Sequence, residues 1–452
     1  MSYLFRRFLL FLIIFIFLLA APLVCFYARG YRFDFHALEF TKTGTISIKT
    51  IPRGASIYLN NKLDPNLSPT KIDGLKPKDY TLKVTKPGYQ DWQATLTVKP
   101  ELVTSATHII LFPEKIEEKV LTRGQINNFN LSPDQKKIIY NIAQGEDKGL
   151  WIFDLDKKQN LKISDIYFDE FDWSEDSQKV ILTREEKSQK RYGILNLKAN
   201  DAPDYSFKIQ DLGSVFKKPI EEAHWQAGNN QRLFLLSQDD LYEVNFIKPE
   251  ITLLQKNIKA YAPNAYGLFW IQEDQRNYSL VAQDYRLLNR AQVIASLPAR
   301  EEYKIIPGAK KIAVLADNDL FLIQDESTFQ IASNVIDAIW SPDGQRLLYF
   351  NEHQLGNYYL KDEENIILTR DSRILKNVGW WPRSQYITFT AEGKLKFLDA
   401  APEMNTHYIT EIKNTRIPDT KIYWSKDTKG IFVLSQNGQE GKEIIEMRLI
   451  ED

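Results

Sequence analysis

Hydrophobic positions change their rhythm twice along the chain. Phe8 to Tyr27 is a run of 20 apolar or aromatic residues interrupted only by Pro22. At 1.5 Å per residue a helix of that length spans about 30 Å, the thickness of the hydrocarbon core of a bilayer. The run predicts a transmembrane helix over residues 8–28, with a tail over 1–7 and a linker over 29–43. From Gly44 to Phe112 the apolar residues alternate instead, as in Ile46/Ile48, Ala55/Ile57/Leu59, Tyr80/Leu82/Val84, Leu96/Val98 and Ile109/Leu111. A period of two is that of a half-buried strand. Turn residues fall between the runs, at Pro52-Arg53-Gly54, Asn60-Asn61, Asp73-Gly74 and Pro87-Gly88. Five or six such strands predict a small β-sandwich over 44–112.

Beyond Pro113 short apolar strands return on a longer beat. Its marker is Trp340-Ser341-Pro342-Asp343-Gly344, a fit to a type I turn in which Pro pre-sets the backbone and Gly closes the bend. Related stretches are Leu131-Ser132-Pro133-Asp134, Trp173-Ser174-Glu175-Asp176, Trp225-Gln226-Ala227-Gly228, Trp381-Pro382-Arg383-Ser384 and Trp424-Ser425-Lys426-Asp427. Weaker copies are Ala262-Pro263-Asn264 and Ile306-Pro307-Gly308. Counted at the second position of each, the spacings are 42, 52, 37, 44, 34, 41 and 43 residues. A period near 40 with about four short strands per unit is the signature of a β-propeller blade. The expected fold is therefore all-β, with an eight-bladed propeller over 113–452, or a seven-bladed one if a weak copy is not a blade. The last unit, from Trp424, is one strand short, so Glu118–Thr122 is expected to complete it and close the ring. A Trp at the same place in each repeat reads as core packing blade on blade.

Residues 44–112 resemble the PEGA domain family. Pro52-Arg53-Gly54-Ala55 matches its motif with Arg in place of the usual Glu, and Ser68-Pro69-Thr70, Gly74-Leu75-x-Pro77, Tyr80-Thr81-Leu82 and Lys86-Pro87-Gly88-Tyr89 with Trp92 follow. The resemblance implies a surface-exposed binding or spacer module of a bacterial envelope protein, without catalytic residues. The repeats resemble those of TolB-like propellers, where a Trp-Ser-Pro-Asp-Gly turn joins the first two strands of each blade.

Charge narrows the partners. The net charge of −1 argues against nucleic acid. Arg6 and Arg7 favour a cytoplasmic N-terminus, although Arg29 and Arg32 beyond the span dilute the asymmetry. A cleaved signal peptide would carry a shorter apolar region and a small-residue cleavage site, and Ala20-Ala21 before Pro22 is a poor one. An uncleaved signal-anchor is the expectation, with the remaining domains outside the cytoplasm. Tyr27 and Tyr31 fit an interfacial aromatic belt or a plain juxtamembrane linker equally. Cys25 is the only cysteine and lies in the apolar run, so no intrachain disulfide forms.

No catalytic motif is evident. His36, His108, His224, His353 and His407 stand singly, without zinc-ligand spacing. Neither a Gly-x-Ser-x-Gly elbow nor a Walker loop occurs. The densest acidic stretch, Asp165, Asp169, Glu170, Asp172 and Asp176, lacks the order of an EF-type calcium loop and reads as a solvated inter-blade loop. Asp165, Asp169, Asp172 and Trp173 are its candidate ligand contacts. No metal or cofactor is expected. The function expected is that of a membrane-anchored, non-enzymatic binding or scaffolding protein of the envelope, with a protein or polysaccharide partner. The alternatives are an enzyme in the propeller funnel, a glycan lyase or quinone-dependent oxidoreductase, and a ligand sensor needing a separate output partner.

Overall fold

The computed structural model describes residues 3–28, 30–34, 39–197, 209–246, 250–285, 291–309, 311–382, 385–401, 408–412, 417, 421–436 and 441–450. Two compact units share them. One is Met1–Ile116 with Phe397–Lys413 and Leu449–Asp452; the other is Glu117–Lys396 with Asn414–Arg448.

In the first unit, a helix over Tyr3–Ala28 carries the apolar run. Its Phe8–Ala28 segment has a mean hydropathy of 3.1, so it is long and apolar enough to cross a membrane. The stretch expected as a linker carries a hairpin, Tyr31–Asp34 paired with Glu39–Lys42. Two sheets then face each other. Gly44–Ile51 is flanked by Thr70–Leu75 and, in parallel, by Val103–Ile110; Ser56–Leu59 lies between Lys62–Leu63 and Lys78–Thr85, which pairs with Trp92–Val98. The alternating residues meet between the sheets, where Ile46, Ile48, Ile57, Leu82, Val84, Trp92 and Leu96 form one core. The PEGA-like motif has a local reason. Gly54 adopts φ +77°, which a side chain would strain. Its N–H and that of Ala55 donate to the carbonyl and hydroxyl oxygens of Ser68, tying Pro52–Ala55 to Ser68-Pro69.

The second unit holds, among the described residues, seven complete four-stranded antiparallel sheets and the first strands of an eighth. All but the last in chain order are meanders; the first is Ile126–Leu131, Lys137–Ile142, Gly149–Asp154 and Gln159–Ser164. The first strands of the others are Glu170–Trp173, Glu222–Gln226, Ile258–Pro263, Tyr303–Pro307, Asp337–Trp340, Leu375–Trp380 and Tyr423–Trp424. First strands of neighbouring sheets bond directly. Asn130 Nδ2 donates to the Phe171 carbonyl (2.8 Å), and Trp225 Nε1 to that of Asp172 (3.1 Å). Trp340 Nε1 reaches the Ile306 carbonyl at 2.9 Å, Trp380 Nε1 that of Ile339 at 3.0 Å, and the Tyr423 hydroxyl that of Phe129 at 3.2 Å. Successive four-stranded meanders packed through their first strands are a β-propeller arrangement. Glu117–Gly124 pairs with Lys442–Arg448, so the last sheet joins one early strand to three late ones.

The repeat turn works through its Ser and Asp. The Ser341 hydroxyl donates to Asp343 Oδ1 (2.5 Å) and accepts from Arg346 N–H (3.0 Å), while Asp343 also accepts from Gln345 N–H (3.0 Å). The same bonds recur at Ser132/Asp134, Ser174/Asp176 and Ser425/Asp427. The fourth turn position is left-handed in all four copies, at Gln135, Ser177, Gly344 and Thr428. Only Gly344 takes that conformation without strain.

Three copies are read one residue out of register in the sequence, the Trp381 copy late and the two weak copies early. Trp380, not Trp381, pairs with Ile387 as Trp340 pairs with Leu347. Trp381 occupies the Ser slot: its N–H donates to the Tyr386 carbonyl (2.8 Å), as that of Ser341 does to Arg346 (2.9 Å). Arg383 and Ser384 of that copy lie outside the described residues. In the weak copies Pro263 and Pro307 take the Trp place, since Asn264 and Gly308 make the closing bond.

Candidate binding cleft on the first strands

One consequence of the meander register is that alternate residues of each first strand face the same way as their counterparts in the next sheet. Counting back from the repeat Trp, the first and third positions are Asn130 and Asn128, Asp172 and Glu170, His224 and Glu222, and Tyr423 and Lys421. All eight line one cleft of about 640 Å³, joined by Asp169 and Lys190. The residues between them are buried, Trp173 and Trp225 away from the cleft lining and Phe171 and Ala223 within it.

Carboxylates dominate the wall. Asp169, Glu170, Asp172 and Glu222 face Lys190 and Lys421. His224 Nδ1 stands 3.9 Å from Asp172 Oδ2, both side chains being about half exposed. Burial works against the charged imidazole, but Asp172 first, then Glu222 and Glu170, outweigh it and raise the His224 pKa above 6.5. The ring meets Tyr261 edge-on at 5.5 Å. Tyr261 donates to the Phe234 carbonyl (2.9 Å), and burial holds its hydroxyl well above the ordinary tyrosine range. On the fifth and sixth sheets the corresponding first-strand charges cancel, with Lys304 Nζ 2.7 Å from Asp337. The acidic face belongs to the second and third sheets, and the first adds the amides of Asn128 and Asn130.

The sequence-derived contacts divide. Glu170–Trp173 is a strand, not the inter-blade loop expected; its alternation of acidic and aromatic residues is the period-two signal that the density of charge obscured. Asp169 and Asp172 line the cleft, although Asp169 Oδ2 also accepts from Glu185 N–H (2.7 Å). Asp165 does not: it is exposed before the strand and pairs with Lys162 at 2.8 Å. Trp173 is packed among Ile139, Leu150, Phe168 and Leu182, so it belongs to the core. Sequence reading passed over Glu222 and His224. Aligning Glu222-Ala223-His224-Trp225 under Glu170-Phe171-Asp172-Trp173 brings both out.

Among the described residues no three His, Cys, Asp or Glu side chains converge to hold a metal ion. His108 Nε2 lies 3.3 Å from Asp399, and His353 Nδ1 3.2 Å from the Asp371 carbonyl oxygen. His36 and His407 are outside the described residues.

Residues 43–109 match the PEGA domain family model. No curated protein matches the chain in sequence. Among solved structures, a eukaryotic initiation factor is 13% identical over 72% of this chain and 90% of its own, with a TM-score of 0.49. The Dos1 propeller is 11% identical over 74% and 94%, TM-score 0.48. The Cps50 (Swd1) β-propeller domain of Myceliophteria thermophila is 11% identical over 73% and 99%, TM-score 0.44. At that level of likeness the propeller assignment rests on the sheets themselves.

Proposed function

We propose that the chain is a membrane-anchored binding protein of a bacterial-type envelope. Its helix serves as an uncleaved anchor, with Arg6 and Arg7 inside and both folded units on the outer side. The eight sheets act as eight blades of one TolB-like ring, closed by Glu117–Gly124, and the PEGA-like sandwich is a spacer. The observation that carries the reading is the cleft, where side chains from four first strands converge on one concave wall. Such concentration on a rigid scaffold is typical of binding sites. Carboxylates and amides accept from hydroxyl and ammonium groups, so the wall suits a polysaccharide or a basic protein segment. No covalent change in the partner is part of this role.

The purified full chain, incubated in detergent with isolated envelope polymers and proteins, tests it. Retention of a partner without new reducing ends, unsaturated sugars or cleavage products is expected. One observation favours an enzyme as a second reading: the His224–Asp172 pair could exchange protons with a ligand in the cleft. Turnover abolished by His224→Ala would establish that reading and remove the first.

A further inference from the structure

The apolar helix does not end in a tether. Phe26, in its last turn, stacks on Phe40 of the hairpin with ring centroids 5.2 Å apart and meets Tyr31 edge-on at 5.4 Å. Phe33 packs edge-on against Phe40 at 5.1 Å. The Arg32 guanidinium lies 3.6 Å over the Tyr27 ring and donates to the Tyr27 carbonyl (3.1 Å). Beyond the hairpin, Thr43 donates through its N–H (3.0 Å) and hydroxyl (2.7 Å) to the Gly30 carbonyl. Lys42 pairs with Glu101 at 2.6 Å, Glu101 N–H donates to the Thr43 carbonyl (3.0 Å), and Thr45 N–H to that of Leu102 (3.1 Å). Helix end, hairpin and the turn before Val103 thus form one bonded piece.

That piece leaves large apolar side chains uncovered around the helix exit. Phe33 and Phe40 are 36% and 41% exposed, and Leu102 and Val103 57% and 61%. In water each such side chain forgoes the stabilisation that removing apolar surface from solvent gives. What adjoins them is a helix of bilayer length, and aromatic residues concentrate where such helices leave the hydrocarbon. We propose that the hairpin and the Leu102–Val103 turn form a collar seated in the headgroup and upper acyl layer of the leaflet where the helix emerges. The occupant of the patch is lipid. The collar holds the sandwich at a set pose on the membrane, because the hydrogen bonds through Gly30, Thr43 and Leu102 leave little play. The inference rests on reading the helix as a span.

The single cysteine makes a clean test possible. In the full chain carrying Cys25→Ala, one cysteine is placed at Phe15, Phe33, Phe40, Leu102 or Leu67 and spin-labelled, and the protein is reconstituted in vesicles of phosphatidylcholine and phosphatidylglycerol. Leu67 is the water control. It precedes Ser68, whose hydroxyl bonds to that of Thr50, about 20 Å along the strand from Gly44 at 3.3 Å per residue. Labels at Phe33, Phe40 and Leu102 should collide with oxygen more than with a water-soluble nickel chelate, as should the label at Phe15, and Leu67 should show the reverse. Leu102 keeps the test decisive if loss of either hairpin Phe disturbs the hairpin. Collar labels matching Leu67 while Phe15 stays in lipid would overturn the collar and leave the span standing. Collar labels broadened by spin–spin coupling would also overturn it, showing a second copy on the patch. A label at Phe15 in water would overturn both.

Discussion

A Cβ at Gly308 would stand 2.8 Å from Trp340 Cε2 and 2.9 Å from the Lys311 carbonyl oxygen. The absent side chain is what lets the Trp340 indole lie across the neighbouring sheet and donate to Ile306. Gly308→Ala should therefore cost about 1–3 kcal/mol through forced displacement in a packed site. A urea midpoint equal to that of the parent protein would show that the indole is free to move. At the cleft, His224 should titrate above 6.5 because of Asp172, Glu222 and Glu170. With the folded pKa raised, its stabilising contribution is full below about 6.5, the unfolded value, and is lost as pH rises through the folded one. Asp172→Asn should move the imidazole titration, followed by NMR, to lower pH; no movement would mean that the pair is not formed. These residues were partly legible. Asp169 and Asp172 stood out as acids, whereas His224 looked like one of five scattered histidines until the strand register placed it beside Asp172.

At the scale of elements, apolar period and turn chemistry carried most of the information. The helix, the alternating strands of the sandwich and the repeat turns follow from spacing alone. What spacing did not reveal was where a copy departs from its pattern. Trp381 sits in the Ser slot, fully buried, stacked on Trp424 with centroids 4.6 Å apart and donating through Nε1 to the Thr428 carbonyl (3.2 Å). The hairpin after the helix was equally hidden, since strands of four residues give too short an alternation to read. The early strand Glu117–Gly124 is more telling. Without it, the edge of Lys442–Arg448 would present unpaired backbone beside buried Ile444, Ile445 and Met447. Replacing residues 117–124 by an equal run of Gly and Ser should send the protein into aggregates on size-exclusion chromatography. A monodisperse product would argue that this pairing is dispensable to the fold.

Across the whole molecule, the sequence supplies an apolar helix, a small sandwich and a repeated meander, and the functional reading follows from what the meander brings together. Carboxylates 52 residues apart, the longest of the repeat spacings, converge because each sheet offers the same two first-strand positions. That convergence is the central claim, and Glu170→Gln with Asp172→Asn and Glu222→Gln tests it most directly. The measurement is capture of envelope material by the full-length triple variant and by the parent chain, alongside their melting curves. The account predicts that the parent retains a partner and the variant loses it, with equal melting temperatures at a pH above the His224 titration, where the imidazole is neutral in both and these side chains face the cleft rather than the core. Equal capture by the two would contradict it and place the binding surface elsewhere.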